Sequence, residues 1–302
     1  EFWHNFVYQV QNQHAPVFEV IKFLEDTKGK SDVLTRTKQS LLTNESIAAQ
    51  DTAKFTNEYV NPLLETIKLL GNKKEDKGYG ISFENIEKIA LAFHSKERNK
   101  QIARINNKEY TDDTYTGSGM SFNVAKKFLR KNYNINLALD PKTKQFKISV
   151  DLSSVEQDLA SGKINEDQAQ QQEVFITNRA ILINRYIKQL QSISRYKLRY
   201  LKETGLLSTE QKRSLENYKY YINLSGGKTK READNIIPEV KKTISAVKRA
   251  KTGLTATPDD IILNTIASVQ SAIVIGQKNI VKQNLLNIFE NYNDPDSFEI
   301  QQ

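Results

Sequence analysis

Apolar residues recur with the period of an α-helix through most of the chain. In residues 51–70, five side chains share one helical face: Phe55, Tyr59, Leu63, Ile67 and Leu70. Gly71 follows as a terminator, and Pro62 inside the stretch predicts a bend or a break, because proline has no backbone N–H to donate. Comparable patterns predict helices over 16–28, 31–42, 82–104, 121–133, 208–221 and 238–251.

One segment predicts a much longer helix. Residues 165–204 contain no helix breaker, and a helix of that length would extend about 60 Å at 1.5 Å per residue. Gly205 ends this helix. Ser208 and Gln211 then form a capping box, which begins the next helix and makes the pair a helical hairpin.

A second long helix is predicted near the end of the sequence. Thr257 serves as its cap and Pro258 as its first helical residue, and the pattern continues to residue 292. Between residues 261 and 275 the segment is apolar on more than one side. Such a helix should be largely buried or should pair with another protein.

One region alternates apolar and polar residues in the manner of β-strands. The segments "INLAL" and "FKISV" flank the polar run "DPKTKQ", so residues 135–150 form a predicted hairpin that should lie against the helices. The sequence therefore predicts a mainly α protein, a multi-helix bundle with long helices and one small β-hairpin insertion. We divide it into an N-terminal helical subdomain (1–134), the hairpin (135–150) and a C-terminal helical subdomain (151–302).

The composition excludes several kinds of site. The chain has no cysteine, which rules out disulfides, thiolate zinc sites and cysteine nucleophiles. His4, His14 and His94 are far apart and form no metal-ligand spacing, so we expect no metal and no cofactor. There is no apolar run long enough for a membrane span and no secretion signal at the start. Because no initiator methionine is present, we expect a segment of a longer protein.

Two glycine-containing segments imitate phosphate-binding loops. In "SGGKT", at residues 225–229, Ile222 stands where the earlier glycine of such a loop would be, and no apolar strand precedes it. In "GSGMS", Phe122 stands at the third glycine position of a dinucleotide fingerprint. We interpret "GSGMS" as a tight turn in which Gly117 or Gly119 adopts positive φ, while the serine at its end caps the following helix. We find no catalytic constellation.

The strongest candidate for binding is a basic strip on the first long helix, in a chain of formal net charge +8. Six cations form the strip: Arg185, Lys188, Arg195, Lys197, Arg199 and Lys202. They could contact phosphates while the interleaved Tyr186, Tyr196 and Tyr200 stack on bases. The alternative is a solvated helix face whose tyrosines lie against neighbouring helices. A second basic cluster lies within residues 241–251.

Several short patterns resemble one family in their order along the chain. "ERNKQIARIN" followed by "GSGMS" resembles the "ERN-x-x-I" helix and "GGSGM" turn of the large polyvalent proteins of bacteriophages, which include cargo proteins of crAss-like phages. "ETGLLSTEQKRSLENYKYYINLSG" is similar to their "GLIS" helical hairpin and "YVPL" segment. The sequence from "KRAKTG" to "KQNLL" is similar to their "GR" loop and "N-x-V" helix, and "NEYVNPLLETI" to a helix upstream of the turn. At "YYINLSGG" the family's proline and arginine are missing, and the hairpin resembles an insertion.

The resemblance implies a helical module within a very long chain. Other domains in this family include helicase, methyltransferase, ADP-ribosyltransferase, peptidase and RNA polymerase activities, and members are packaged in the virion and delivered with the genome. It supplies no catalytic residues for this module. We therefore expect a non-enzymatic structural or interaction segment of a phage cargo or ejection protein, inside the virion first and then in the host cytoplasm.

The expected partners are other segments of the same polypeptide and other virion proteins, with DNA as a further candidate. The alternative from a different class is a nucleic-acid-binding module of an injected phage polymerase or helicase. A third possibility, an enzyme with an undetected site, predicts buried ionisable residues that converge on one pocket.

Overall fold

The computed structural model describes residue 43 and residues 46–71, 78–139, 146–216 and 261–292. Within them lie seven α-helices and one two-stranded antiparallel sheet, which confirms the predicted mainly α fold with a small hairpin. The elements are α1 (Asn61–Gly71), α2 (Phe83–Ile105), α3 (Phe122–Tyr133), β1 (Ile135–Leu139), β2 (Phe146–Val150), α4 (Ser153–Ala160), α5 (Glu166–Glu203), α6 (Thr209–Glu216) and α7 (Ile261–Tyr292).

Some predicted elements belong to parts of the chain that the structure does not describe. The helices predicted over 16–28, 31–42 and 238–251 lie outside the described residues, as do Thr257 and Pro258. Among the described helices, none combines the length and the apolar content that crossing a membrane requires.

Pro62 alters its helix without ending it. Residues 46–55 are α-helical, Thr56–Val60 form a π-helical turn, and α1 follows directly. Pro62 cannot donate a backbone hydrogen bond, and its ring crowds the carbonyl one turn earlier. The wider turn, in which the Asn61 N–H donates to Thr56 O, accommodates both effects. The irregularity predicted at Pro62 is therefore a π-turn within a continuous helical segment.

Helices begin at caps that the sequence predicts. Ser82 Oγ at the start of α2 and Ser121 Oγ at the start of α3 each accept a hydrogen bond from the backbone N–H three residues later. Before α6, Ser208 Oγ accepts the N–H of Gln211 at 3.1 Å, and Gln211 Oε1 accepts the N–H of Ser208 at 2.9 Å. This reciprocal pair is the predicted capping box.

The predicted hairpin is confirmed and lies against the helices. β1 and β2 pair in antiparallel register, with Ile135 opposite Val150. Ile135 and Phe146 are buried in the main core, and the Phe146 ring stacks on Phe122 of α3 with centroids 5.5 Å apart. The hairpin thus gains from helix packing the stability that an isolated pair of strands lacks.

A short helix that is not among the predicted elements follows the hairpin. The Asp151 carboxylate accepts hydrogen bonds from Arg130 Nε at 2.6 Å and from the Ser153 N–H in the first turn of α4 at 3.2 Å. Hydrogen bonds from Ser153 and Arg130 lower the pKa of Asp151 to about 2. α4 has eight residues with Val155 buried, so its apolar period is too short to recognise in the sequence.

α5 is the element around which the protein is built. It has 38 residues, begins at the Asn165 cap and ends before Gly205, which adopts a φ of 73°, so the predicted long helix is confirmed. Among the described elements, α1, α2, α3, α4, α6, α7 and β2 all contact it. A single hydrophobic cluster includes residues from Ala48 to Ile273. The division at residues 134 and 150 stays a prediction, and among the described residues side chains of all three segments meet in this cluster.

α7 packs closely along α5 and α2. A Cβ atom at Gly276 would lie 2.8 Å from both Thr204 Oγ1 and a Tyr200 ring carbon, so glycine permits the close approach. At the other end, Glu87 Oε1 of α2 accepts the Ile262 N–H at 3.3 Å and joins α2 to the first described residues of α7. Of its ten apolar positions in residues 261–275, five are buried, four are partly buried and Leu263 is exposed, in line with the predicted burial.

Three polar side chains complete the contact between α5, α7 and the helical residues 46–55. The Tyr200 hydroxyl lies 2.6 Å from Asp51 Oδ2, and Gln277 Nε2 lies 2.7 Å from the Tyr200 hydroxyl and 3.1 Å from the same Asp51 oxygen. Burial and the hydrogen bond to Asp51 raise the pKa of Tyr200, so the phenol stays protonated and donates to the carboxylate.

Tyr186 and Tyr200 provide a matched test of this network. Tyr186 is fully buried, and its hydroxyl has no hydrogen-bond partner among the described residues. Tyr186→Phe removes a desolvated hydroxyl and should leave the free energy of unfolding unchanged or raise it by up to about 1 kcal/mol. Tyr200→Phe leaves Asp51 and Gln277 without their shared partner and should lower it by about 2 kcal/mol. Urea unfolding measures both, and equal losses would contradict the network.

Candidate functional site

Five of the six predicted basic residues lie together on the exposed side of α5. At 3.6 residues per turn they fall within an arc of about 100° and extend about 26 Å along the helix. We name this surface the cationic ridge; its members, all exposed, are Arg185, Lys188, Arg195, Arg199 and Lys202. The structure therefore assembles most of the predicted strip into one continuous surface.

Lys197 is not part of the ridge. Its helical position is about 180° from the centre of the ridge, on the side where Leu190 and Leu201 are buried. The side chain is half-buried, and desolvation lowers the pKa of Lys197 to about 8. Nearness in the chain places Lys197 in the predicted strip with the other five cations, but its helical angle separates it from them.

The interleaved tyrosines face the core. Tyr186 is 0% exposed, and Tyr196 and Tyr200 are each 7% exposed. The Tyr196 ring lies 5.3 Å from the Phe55 ring and 5.0 Å from the Tyr59 ring, centroid to centroid, and burial raises the pKa of Tyr196 to about 12. These rings are occupied in packing, as the alternative of a solvated helix face predicts, and are not placed to stack on bases.

The ridge has little neighbouring negative charge. Residues 174–202 contain no Asp or Glu, although opposite charges at i,i+4 would stabilise an exposed helix face. Arg199 Nε lies 3.8 Å from Glu203 Oε1, and the other four cations form no ion pair with a described residue. Like charges three or four residues apart destabilise a helix by roughly 0.2–0.5 kcal/mol per pair. An anionic partner would relieve this repulsion.

An open groove borders the N-terminal end of the ridge. It has a volume of about 380 Å³ and is lined by Ile181, Asn184, Arg185, Lys188, Gln189 and Ser192. Gln189 Nε2 donates to Pro62 O at 3.1 Å and ties this part of α5 to α1. Ile181 is 61% exposed, and Val174, one heptad earlier, is 53% exposed. Neither residue is a predicted site residue, because apolar side chains of an amphipathic helix are expected on its core side.

The "GSGMS" turn is a structural junction. The buried side chain of Asn99 accepts the Ser118 N–H at 2.6 Å. Its amide nitrogen donates to the carbonyls of Tyr115 and Met120 at 2.9 and 2.8 Å. Gly119 adopts a φ of 93°, and its N–H donates to a carbonyl within the turn at 2.8 Å. The predicted tight turn is confirmed, and the backbone amides of Ser118 and Gly119 are engaged inside the protein.

Close packing explains which residues stand at this turn and in the helix beside it. A Cβ atom at Gly117 would lie 2.7 Å from the Tyr115 ring and 3.1 Å from Ile102 Cγ2, so a larger residue would force a shift. Asn99 and Ile102 are the asparagine and isoleucine of the "ERN-x-x-I" pattern. The helix and the turn on which the family resemblance rests therefore contact each other directly.

Ionisable residues beside the turn are paired. Lys96 Nζ lies 2.9 Å from Asp112 Oδ2 and 4.4 Å from the centre of the Phe122 ring. The Tyr110 hydroxyl donates to the other Asp112 oxygen. Burial opposes ionisation of Asp112, but the hydrogen bonds from Tyr110 and Lys96 outweigh it and hold the pKa of the carboxyl below its usual range. This cluster thus has a structural explanation.

The histidines have different placements. His94 is buried in α2, whereas His4, His14 and the "SGGKT" segment lie outside the described residues. In the described part of the chain, no three His, Asp or Glu side chains are grouped so that they could hold a metal ion.

Asn99→Asp tests the junction with almost no change in volume. The substitution keeps an acceptor for Ser118 but replaces the NH₂ donor of two partly buried carbonyls by a negatively charged oxygen. The free energy of unfolding should fall by about 3 kcal/mol. Asn178→Asp, at an exposed position of α5, is the matched control and should change stability by less than about 0.5 kcal/mol. Urea unfolding would refute the junction if the two variants were equally stable.

Comparison of the chain with family models, with curated proteins and with solved structures finds no match. The physical arrangement of α5 therefore carries the functional argument.

Proposed function

We propose that this protein is a non-enzymatic helical interaction module of a phage virion cargo or ejection protein. In this proposal it is one segment of a much longer chain that is packed inside the virion and enters the host with the genome. It acts by binding other segments of that chain and other virion proteins. The family resemblance supports the phage assignment, and α5 supports the interaction role.

The single observation that carries the interaction role is the division of α5 into two sides. One side packs against the other helices and the hairpin. The other exposes five cations across about 26 Å with one ion pair, that of Arg199, among the described residues. Net repulsion on a free surface lowers stability, and binding of a complementary partner compensates for that loss.

Protease protection in phage particles tests the virion role. Peptides of this chain should be detected by mass spectrometry in purified particles. They should resist protease added to intact particles and become sensitive after the genome is released, because the capsid excludes the protease. A surface-exposed capsid protein of the same particles serves as the control for protease activity. Detection of the chain in infected cells but not in particles would contradict the proposal.

A second candidate function is a nucleic-acid-binding module of an injected phage polymerase or helicase. The ridge favours it, because a row of exposed Lys and Arg is the electrostatic footprint of phosphate contacts. The buried tyrosines limit it to backbone contacts, since the rings of Tyr186, Tyr196 and Tyr200 are packed in the core. Binding of this kind would depend on charge rather than on base sequence.

The salt dependence of duplex DNA binding tests this candidate. With all five ridge cations engaged, the slope of log K against log salt should reach about −4.5. Reversal of Arg195, Arg199 and Lys202 to Glu should reduce the slope to less than half. The matched control reverses Lys108, Lys127 and Lys131, which are exposed outside α5, and should retain most of it. Absence of binding at low salt, or equal losses in both triple variants, would exclude the ridge as a DNA surface.

A further inference from the structure

The exposed side of α5 has a longer pattern than the ridge alone. Starting at Val174, exposed or half-buried positions alternate in steps of four and three residues over about 42 Å. These positions are Val174, Asn178, Ile181, Arg185, Lys188, Ser192, Arg195, Arg199 and Lys202. A 3.5-residue period sustained over four heptads is the spacing with which one helix receives another along its length.

We propose that this stripe is a docking seam for an acidic amphipathic helix of another protein. The proposal rests on the interaction role given above and names the chemistry of the partner. Apolar side chains of that helix would cover Val174 and Ile181, and its carboxylates would face the cationic ridge. The groove beside Ile181 would receive one of the apolar side chains.

The apolar end of the seam favours a helix over a nucleic acid. Val174 is 53% exposed and Ile181 is 61% exposed, in line with the cations rather than on the core side. Phosphates make no favourable contact with these two apolar side chains. An amphipathic helix buries them, which contributes roughly 25 cal/mol of binding free energy per Å² of apolar surface. The groove is bordered by the uncharged side chains of Asn184, Gln189 and Ser192, which fit the polar rim of a protein interface.

The charges of the segments outside the described residues indicate that the acidic helix does not come from this sequence. Residues 217–260 contain more Lys and Arg than Asp and Glu, and residues 1–42 contain equal numbers. Residues 293–302 are acidic but too few to cover a seam of about 42 Å at 1.5 Å per residue. None of these segments supplies both the length and the negative charge that the seam requires.

Binding of a synthetic peptide to the full chain tests the seam. The probe is a labelled helical peptide of about 28 residues, with Leu at the positions that face Val174 and Ile181 and Glu at the remaining seam positions. A second peptide has every Glu replaced by Gln, and a duplex DNA forms a third arm. Fluorescence anisotropy should detect the acidic peptide, with weaker binding of the Gln peptide and a loss of affinity at higher salt.

Substitutions identify where the peptide binds. Ile181→Ser and the double variant Arg195→Glu with Arg199→Glu should each weaken the acidic peptide by at least about tenfold. The control, Lys127→Glu with Lys131→Glu on α3, should not. Arg195→Glu alone should also leave the urea midpoint of the free protein unchanged or slightly raised, because a carboxylate there faces Arg199. Loss of peptide binding by Arg195→Glu alone would then reflect the changed surface and not unfolding.

Each outcome bears on the seam. It is overturned if the acidic peptide does not bind, or if binding is unaffected by Ile181→Ser. DNA binding that depends on Arg195 and Arg199 but not on Ile181, without peptide binding, would replace the seam by the nucleic-acid candidate. Protection of the chain in virions together with failure of the peptide would remove the seam and leave the proposed cargo role standing.

Discussion

The structure depends on burial of one side of α5 against elements from both ends of the chain. A helix of 38 residues is not stabilised by its own hydrogen bonds alone, so its apolar side must be covered along most of its length. α1, α2, α7 and the hairpin supply that cover. One side of α5 packs in the core, so the other side contacts solvent. The residues on the solvent side are not constrained by core packing and can form a binding surface.

Buried polar groups make the core specific for one arrangement of the helices. Asn99 joins α2 to a turn through hydrogen bonds in both directions, and Tyr200 joins α5 to Asp51 and Gln277. Each bond has an orientation, so these groups favour one arrangement of the helices over others that would bury similar apolar area. The glycines at 119 and 276 act alongside them, one through its backbone conformation and one through close helix contact.

The cationic ridge, unlike these core contacts, lowers the local stability of the helix. A helix face without acids between residues 174 and 202 lacks the attractive pairs that its cations could form. The apolar residues Val174 and Ile181 add exposed surface that folding does not bury. Repulsion and exposed apolar area are both relieved by the same kind of partner, and this coincidence links the proposed interaction role to the docking seam.

The sequence by itself determined the helical class, the hairpin, the caps at Ser82, Ser121 and Ser208, and the tight turn at residues 117–121, because these depend on periodicity and on side chains close in the chain. It also held the information that separates Lys197 from the ridge, since a helical angle needs only residue numbers. Only the tertiary structure decided that Asn99 holds the turn, that Glu87 accepts the Ile262 N–H of α7, and that Val174 and Ile181 remain exposed. These depend on which surfaces meet, and pairings between distant elements leave no local pattern in one sequence.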